Sequence, residues 1–292
     1  DTTPWGVVHL VGGAGLAVAP QLCYDELAQH IVERAGVAVI ATPYEAATNH
    51  SHLARAVRAE FDDALELCIA DGLLPSMSSA QVARLGHSLG AKLVALLRSD
   101  EAADPSSRAG YLAFNNFDVE GSVIVAAEAL LQLQSPELRR DANVRAAIQA
   151  ALALARSLGS AQGVELEFTP PPRELCERVS SSHAAAATVL RFEGDTLDSS
   201  DELIEALGSR CEKEGVLRGG HFAPVTIRLR TSDVAEGLDP AVAMLLRAQL
   251  GDTELCLGEP DLVDEVADAI VRWLRPVGGP AAQRSLPLVD SE

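Results

Sequence analysis

The chain predicts an α/β fold, a mainly parallel sheet flanked by helices and carrying an inserted helical cap, and three observations lead there. Short apolar, β-branched runs alternate with amphipathic helical stretches through the first half, as successive β-α-β units require. A serine stands between glycines in Gly86-His87-Ser88-Leu89-Gly90, directly after one of those runs and directly before a helical pattern. The regular alternation then gives way after Asn115-Asn116 to an Ala-, Leu- and Gln-rich stretch, and returns near Thr188. Residues 1–118 and 188–276 are therefore expected to form the core and 119–187 the helical cap, with 277–292, rich in Gly, Pro and Ser, a disordered tail.

The strand candidates are Val7–Val11, Val37–Ala41, Val82–Leu85 and Tyr111–Phe114, each followed by polar, proline-containing or glycine-rich residues where a strand ends. Between the first two lies a helical pattern with Leu27, Ile31 and Val32 on one face, closed by Gly36 as a C-cap. The next places Leu53, Val57, Phe61, Leu65 and Cys68 at steps of three or four before Gly72. A cap after the fourth strand sits where loops at strand carboxyl ends surround a binding site. The core resumes with a strand over Thr188–Phe192 and a short one near Gly215–Leu217. It ends in the helix Pro260–Leu274, apolar at Leu262, Val263, Val266, Ile270, Trp273 and Leu274, with Pro276 as the stop.

Composition narrows the function. With 48% hydrophobic and 22% charged residues over 292 positions, a sizeable core can form. A net charge of -19 without a basic, aromatic-rich cluster argues against nucleic acid as a partner. No apolar run reaches the roughly 18 to 20 residues that a membrane-spanning helix needs, since Arg145 and Arg156 break the Ala-rich stretch 144–158. The protein is not expected to be integral to a membrane. Five scattered cysteines without CxxC spacing fit a reducing compartment better than a disulfide framework. The start at Asp1 fits a targeting peptide removed or left out, with its destination unread.

A serine in a G-x-S-x-G turn is held on a strained strand-to-helix elbow, where flanking glycines keep side chains off neighbouring backbone. That makes Ser88 the candidate nucleophile of an α/β-hydrolase fold. A serine hydroxyl needs a histidine to take its proton, and the imidazole needs a carboxylate to fix its tautomer; in this fold the chain order is Ser, acid, His. Arg191-Phe192-Glu193-Gly194-Asp195-Thr196-Leu197-Asp198 runs off a strand into an acidic turn, and Gly219-Gly220-His221-Phe222 follows. Asp195 is the preferred acid, Asp198 the runner-up, and Glu193 belongs with the strand; His221 is the base. For the oxyanion, Leu89 offers one backbone N–H and Gly12 or Gly13, in the glycine loop after His9-Leu10-Val11, the other. That loop is not GxGxxG and lacks a ribose-binding acid, so no dinucleotide is expected. His87 should point away from the serine's chemistry, and His9 should pack or hydrogen-bond beneath the oxyanion loop. His50-Ser51-His52 lacks a third ligand nearby and reads as a solvated helix start rather than a metal site. No cofactor or metal is implied.

Taken together, His9-Leu10-Val11-Gly12-Gly13, Val39-Ile40-Ala41-Thr42-Pro43-Tyr44, Gly86-His87-Ser88-Leu89-Gly90-Ala91 and Arg108-Ala109-Gly110 with Phe114-Asn115-Asn116 resemble one family. It is domain of unknown function 1350, cyanobacterial and plastid proteins similar to α/β-hydrolases. The resemblance spans roughly residues 5–225. It implies the hydrolase fold and a photosynthetic source, hence a chloroplast location in a eukaryote or a cytoplasmic one in a cyanobacterium, and it implies no substrate. Two expectations follow. One is a serine hydrolase (esterase, thioesterase or lipase-like) using Ser88, Asp195 and His221 on an apolar or lipid-like acyl substrate, with the cap lining an acyl pocket. The alternative is a non-catalytic hydrolase-fold scaffold or assembly factor that binds a protein partner.

Overall fold

The computed structural model describes residues 3–100, 108–118, 121–122, 167–182, 186–230 and 254–275. Six strands form one parallel sheet: β1 (Val7–Val11), β2 (Ala38–Ala41), β3 (Val82–His87), β4 (Arg108–Leu112), β5 (Ala187–Phe192) and β6 (Cys211–Leu217), in the spatial order β2-β1-β3-β4-β5-β6. Each parallel connection needs a crossover, and helices supply it. Between β1 and β2 run α1 (Pro20–Cys23) and α2 (Asp25–Ala35); α3 (His50–Ala70) joins β2 to β3, α4 (Leu89–Asp100) follows β3, α5 (Pro172–Ser181) precedes β5, and α6 (Ser200–Leu207) joins β5 to β6. A separate antiparallel pair, β7 (Thr226–Arg230) with β8 (Glu254–Gly258), leads into the last helix α7 (Pro260–Leu274).

Helices on both faces explain why β1 and β3 are buried along their whole length. On one face α2 and α7 close a core built on Leu10, Leu27, Ile31, Leu85, Val266 and Ile270. On the other, α3, α4, α5 and α6 enclose Val57, Leu93, Leu96, Tyr111, Leu175 and Leu203. The expected α/β-hydrolase fold, a mainly parallel sheet flanked by helices, is the one observed.

Several elements depart from the sequence reading. β4 runs over Arg108–Leu112 rather than Tyr111–Phe114, because Ala113 takes a positive φ of 46° and ends the extended run. β6 begins at Cys211, four residues before the expected Gly215, its charged stretch being tolerable on an outer strand. The β7–β8 pair has no counterpart in the expected elements. Val32 is 42% exposed, off the buried stripe of α2 that Leu27 and Ile31 form. Of the segment assigned to the cap, α5 packs on α4 and α6 as part of the layer over the sheet; 119–120, 123–166 and 183–185 lie outside the described residues, as does the tail 277–292. Among the described residues no helix is long and apolar enough to cross a membrane.

Candidate active site

The sheet order creates the site. The chain passes from β1 to β2 on one side and returns past β1 to β3 on the other, so the loops leaving β1 and β3 part at a switch point and open a crevice above adjacent strand ends. The loop from β1 is Gly12-Gly13; the turn from β3 holds Ser88.

Ser88 has φ 56°, a left-handed value that costs a non-glycine residue of order 1–3 kcal/mol. Its neighbours explain how the turn survives. A Cβ on Gly86 would lie 2.5 Å from the Ala91 Cα, and one on Gly90 would lie 2.0 Å from the Val11 carbonyl oxygen. The two glycines therefore allow α4 to start against the end of β1. The Ser88 N–H donates to the Leu112 carbonyl at 3.0 Å, tying the turn to β4.

The two partners arrive from the far end of the sheet. His221 lies in the turn after β6 and is 3% exposed; its Nε2 is 2.9 Å from Ser88 Oγ and its Nδ1 is 2.8 Å from Asp195 Oδ2. The Asp195 side chain is fully buried. It also accepts from the Leu197 N–H at 2.8 Å, so one oxygen fixes its turn while the other meets the imidazole. Asp198 is otherwise engaged: Oδ1 accepts from both the backbone N–H and the hydroxyl of Ser200 at the start of α6, and burial raises its pKa. Glu193 lies past the end of β5, outside the strand expected to hold it.

A second chain of hydrogen bonds runs beneath the first, and its polarity can be read. His87 Nε2 lies 2.9 Å from the His221 carbonyl oxygen, and a carbonyl only accepts, so that nitrogen carries the proton. His87 is neutral, because burial and the neighbouring His221 push its pKa down to about 3. Its Nδ1 must then accept, from the Tyr24 hydroxyl at 2.7 Å. Tyr24 Oη in turn accepts from the Gly13 N–H at 2.8 Å. Donation runs from the glycine loop through Tyr24 to His87 and on to the backbone of His221. The sequence reading turns His87 away from the serine's chemistry; in the structure its ring stands beside that of His221, 5.1 Å between centroids, and lines the cavity over Ser88. Its task of joining two loops has no signature in sequence, nor has that of Tyr24.

Around the candidate oxyanion position, Leu89 is the first residue of α4, where helical N–H groups lack an intrahelical acceptor. Gly13 lies against the serine: a Cβ there would be 3.1 Å from Ser88 Cβ and 3.6 Å from Oγ. Its N–H is already given to Tyr24. Gly12 packs on the Tyr24 ring, and its carbonyl accepts from the Tyr44 hydroxyl at 2.6 Å.

A cavity of about 370 Å³ opens over Ser88 and His221, with largely apolar walls that include Leu16, Phe117, Phe168 and Phe222. His50 and Lys92 also line it. Here the sequence reading of His50-Ser51 as a solvated start of a helix is corrected: His50 is 2% and Ser51 8% exposed, the His50 ring packs on Phe168, and burial lowers its pKa to about 4. Asn49 is the N-cap and takes the outward position, its side chain accepting from the His52 N–H. His9 is also buried. It stacks on Phe61 at 4.2 Å between ring centroids and hydrogen-bonds Thr42, linking β1 to the residue after β2. Among the described residues no cluster of His, Cys, Asp and Glu has the geometry to hold a metal.

A family model described as protein of unknown function (DUF1350) matches residues 1–276. No curated protein matches the chain. Among solved structures, the chain is similar to carboxyl esterase 2 from the mycorrhizal fungus Tuber melanosporum, with 12% identity, a TM-score of 0.49, and coverage of 94% of this chain and 80% of that one. It is similar too to the S-formylglutathione hydrolase FrmB of Staphylococcus aureus, at 15% identity, a TM-score of 0.46, and 94% and 85% coverage. The Paleococcus ferrophilus monoacylglycerol lipase matches at 14% identity, a TM-score of 0.45, and 93% and 95% coverage.

Proposed function

Because the chain belongs to the family described as protein of unknown function (DUF1350), whose description carries no reaction, we propose its activity from its own site: a serine hydrolase that cleaves an acyl ester or thioester. The observation that carries this reading is the unbroken line from Ser88 Oγ through the His221 ring to Asp195, with contacts of 2.9 and 2.8 Å, at the wall of a largely apolar cavity.

The chemistry follows from the proton positions. Asp195 accepts from His221 Nδ1–H, so Nε2 presents its lone pair to the serine hydroxyl. As Ser88 Oγ bonds to the acyl carbon, its proton passes to Nε2, and the buried Asp195 carboxylate stabilises the imidazolium. The oxygen of the tetrahedral intermediate takes hydrogen bonds from the Leu89 N–H and from the glycine loop at Gly12 or Gly13. The donation of Gly13 to Tyr24 favours Gly12 of the two. His221 then protonates the leaving alcohol or thiol. A water, deprotonated by the same imidazole, releases the acid from the acyl-serine.

Covalent labelling with a fluorophosphonate tests this reading. Wild type is expected to label at Ser88, and Ser88→Ala and His221→Ala to lose both labelling and turnover of a 4-nitrophenyl ester, by about 10⁴-fold or more. A folded wild type that does not label would sink the proposal and turn attention to a non-catalytic scaffold.

A further inference from the structure

Two residues of the cavity wall are buried with nitrogen atoms that nothing among the described residues satisfies. Lys92, on the first turn of α4, donates its N–H to the Ser88 carbonyl, and both residues line the cavity. The lysine is 1% exposed, yet its Nζ has no hydrogen-bond partner among the described residues. The same holds for Nδ1 of His50, at the start of α3. Phe168 touches both: its ring lies 4.3 Å from the His50 ring, and the Lys92 Nζ is 5.3 Å from its centroid.

An ammonium buried without an acceptor is costly, and folds ordinarily pair or neutralise one. Burial does pull the Lys92 pKa down, to about 8, which leaves it mainly protonated at neutral pH. The groups whose charge it feels are Cys176 on α5, Glu202 on α6 and Asp118 after β4. None answers it. Glu202 takes the Asn116 amide, Asp118 takes the Gly121 N–H, and both residues are exposed; the Cys176 thiol is pushed up by burial.

We infer that the cavity takes an acyl group ending in a carboxylate, with its ester carbonyl at Ser88 and its carboxylate between the Lys92 ammonium and the His50 imidazole. This rests on the hydrolase reading for the near end of the ligand and adds the far end. One ammonium and one imidazole suit a monoanion with two oxygens, whereas a phosphate would call for more donors. Lys92 is hydrogen-bonded through its backbone to Ser88 and lines the same cavity of about 370 Å³, so short dicarboxylic half-esters fit best.

Two non-hydrolysable amides of equal shape make the test: N-phenylsuccinamic acid and the uncharged 4-methyl-N-phenylpentanamide, titrated calorimetrically into the full chain. The acid is expected to bind at least tenfold tighter. Lys92→Met should bring that ratio to one or below, and Lys92→Arg, which keeps the charge, should retain most of it. Equal affinities in wild type, a preference for the uncharged amide, or no binding of either would overturn the inference whatever the variants do. An unchanged ratio in a folded Lys92→Met would do the same. Binding is read without turnover, so the two proposals fail separately. Loss of the preference with Ser88 still labelled defeats only this one; a preference without labelling defeats only the hydrolase.

Discussion

Two aspartates three residues apart, Asp195 and Asp198, are told apart by what each oxygen meets. The former is bonded to the His221 imidazole and the latter to Ser200. Asp195→Asn should thus lower kcat by about 10⁴-fold, as loss of the orienting carboxylate does in triads generally. Asp198→Asn should change it by less than about threefold, and steady-state kinetics on one ester decide. His87 is expected to act by positioning. In His87→Leu, the His221 carbonyl and the Tyr24 hydroxyl lose their partner, and kcat should fall by about 10-fold or more with KM little changed. His87→Gln, which can both donate and accept, should recover most of the loss; a drop in KM and kcat alike, unrelieved by Gln, would mark a purely structural role. Ser88, Asp195 and His221 are legible in the sequence because each sits in a local pattern: an elbow, a turn directly after a strand, a histidine behind two glycines. The burial and contacts of Tyr24, His87, His50 and Lys92 are not, because a polar side chain within a helical or strand pattern reveals its surroundings only once distant segments pack on it.

At the scale of elements, the elbow is a contact between three pieces of backbone as much as a turn. Gly90→Ala would drive a methyl to 2.0 Å from the Val11 carbonyl oxygen, a distance no rotamer can relieve. A loss of more than about 3 kcal/mol is expected, the size of severe overpacking. Urea unfolding would reveal it, and a variant of wild-type stability would show that α4 can shift away from β1. The strands legible in sequence are those whose two faces are both buried, such as β1 and β3, since continuous apolar runs result. β6 is legible only over its last residues, Gly215–Leu217, and the β7–β8 pair not at all, as outer or two-stranded elements carry charged residues and lack that run. β4 lies three residues earlier than its apolar run suggests, because positive φ at Ala113 cannot be anticipated from an alanine.

For the whole molecule, the buried histidines His9, His50 and His87 shape the response to acid. The pKa of His9 and of His87 is about 3 and that of His50 about 4, each depressed first by burial; Arg84 and Arg58, His221, and Lys92 respectively add to the effect. The unfolded chain takes up these protons near 6.5, the folded one not until much lower. Between those limits the unfolded state binds more protons, so stability is fully present above about pH 6.5 and declines as pH falls, by up to about 1.4 kcal/mol per unit for each histidine. Carboxylates begin to protonate in number only nearer about pH 4, which isolates the histidines between 6.5 and 5. Melting temperatures measured across that interval should drop steadily, and a flat profile would contradict the burial of these rings.

The line of contacts at the site joins residues 133 positions apart, Ser88 in the turn after β3 and His221 after β6. During synthesis the elbow and its supporting strands β1, β2 and β3 can exist while the histidine has yet to be translated. Under the proposed mechanism a nascent or truncated chain would thus carry an unarmed serine, and reactivity would switch on only when the sixth strand has docked. Labelling of that one hydroxyl by a fluorophosphonate, on the same proposal, would be a clock for the completion of folding.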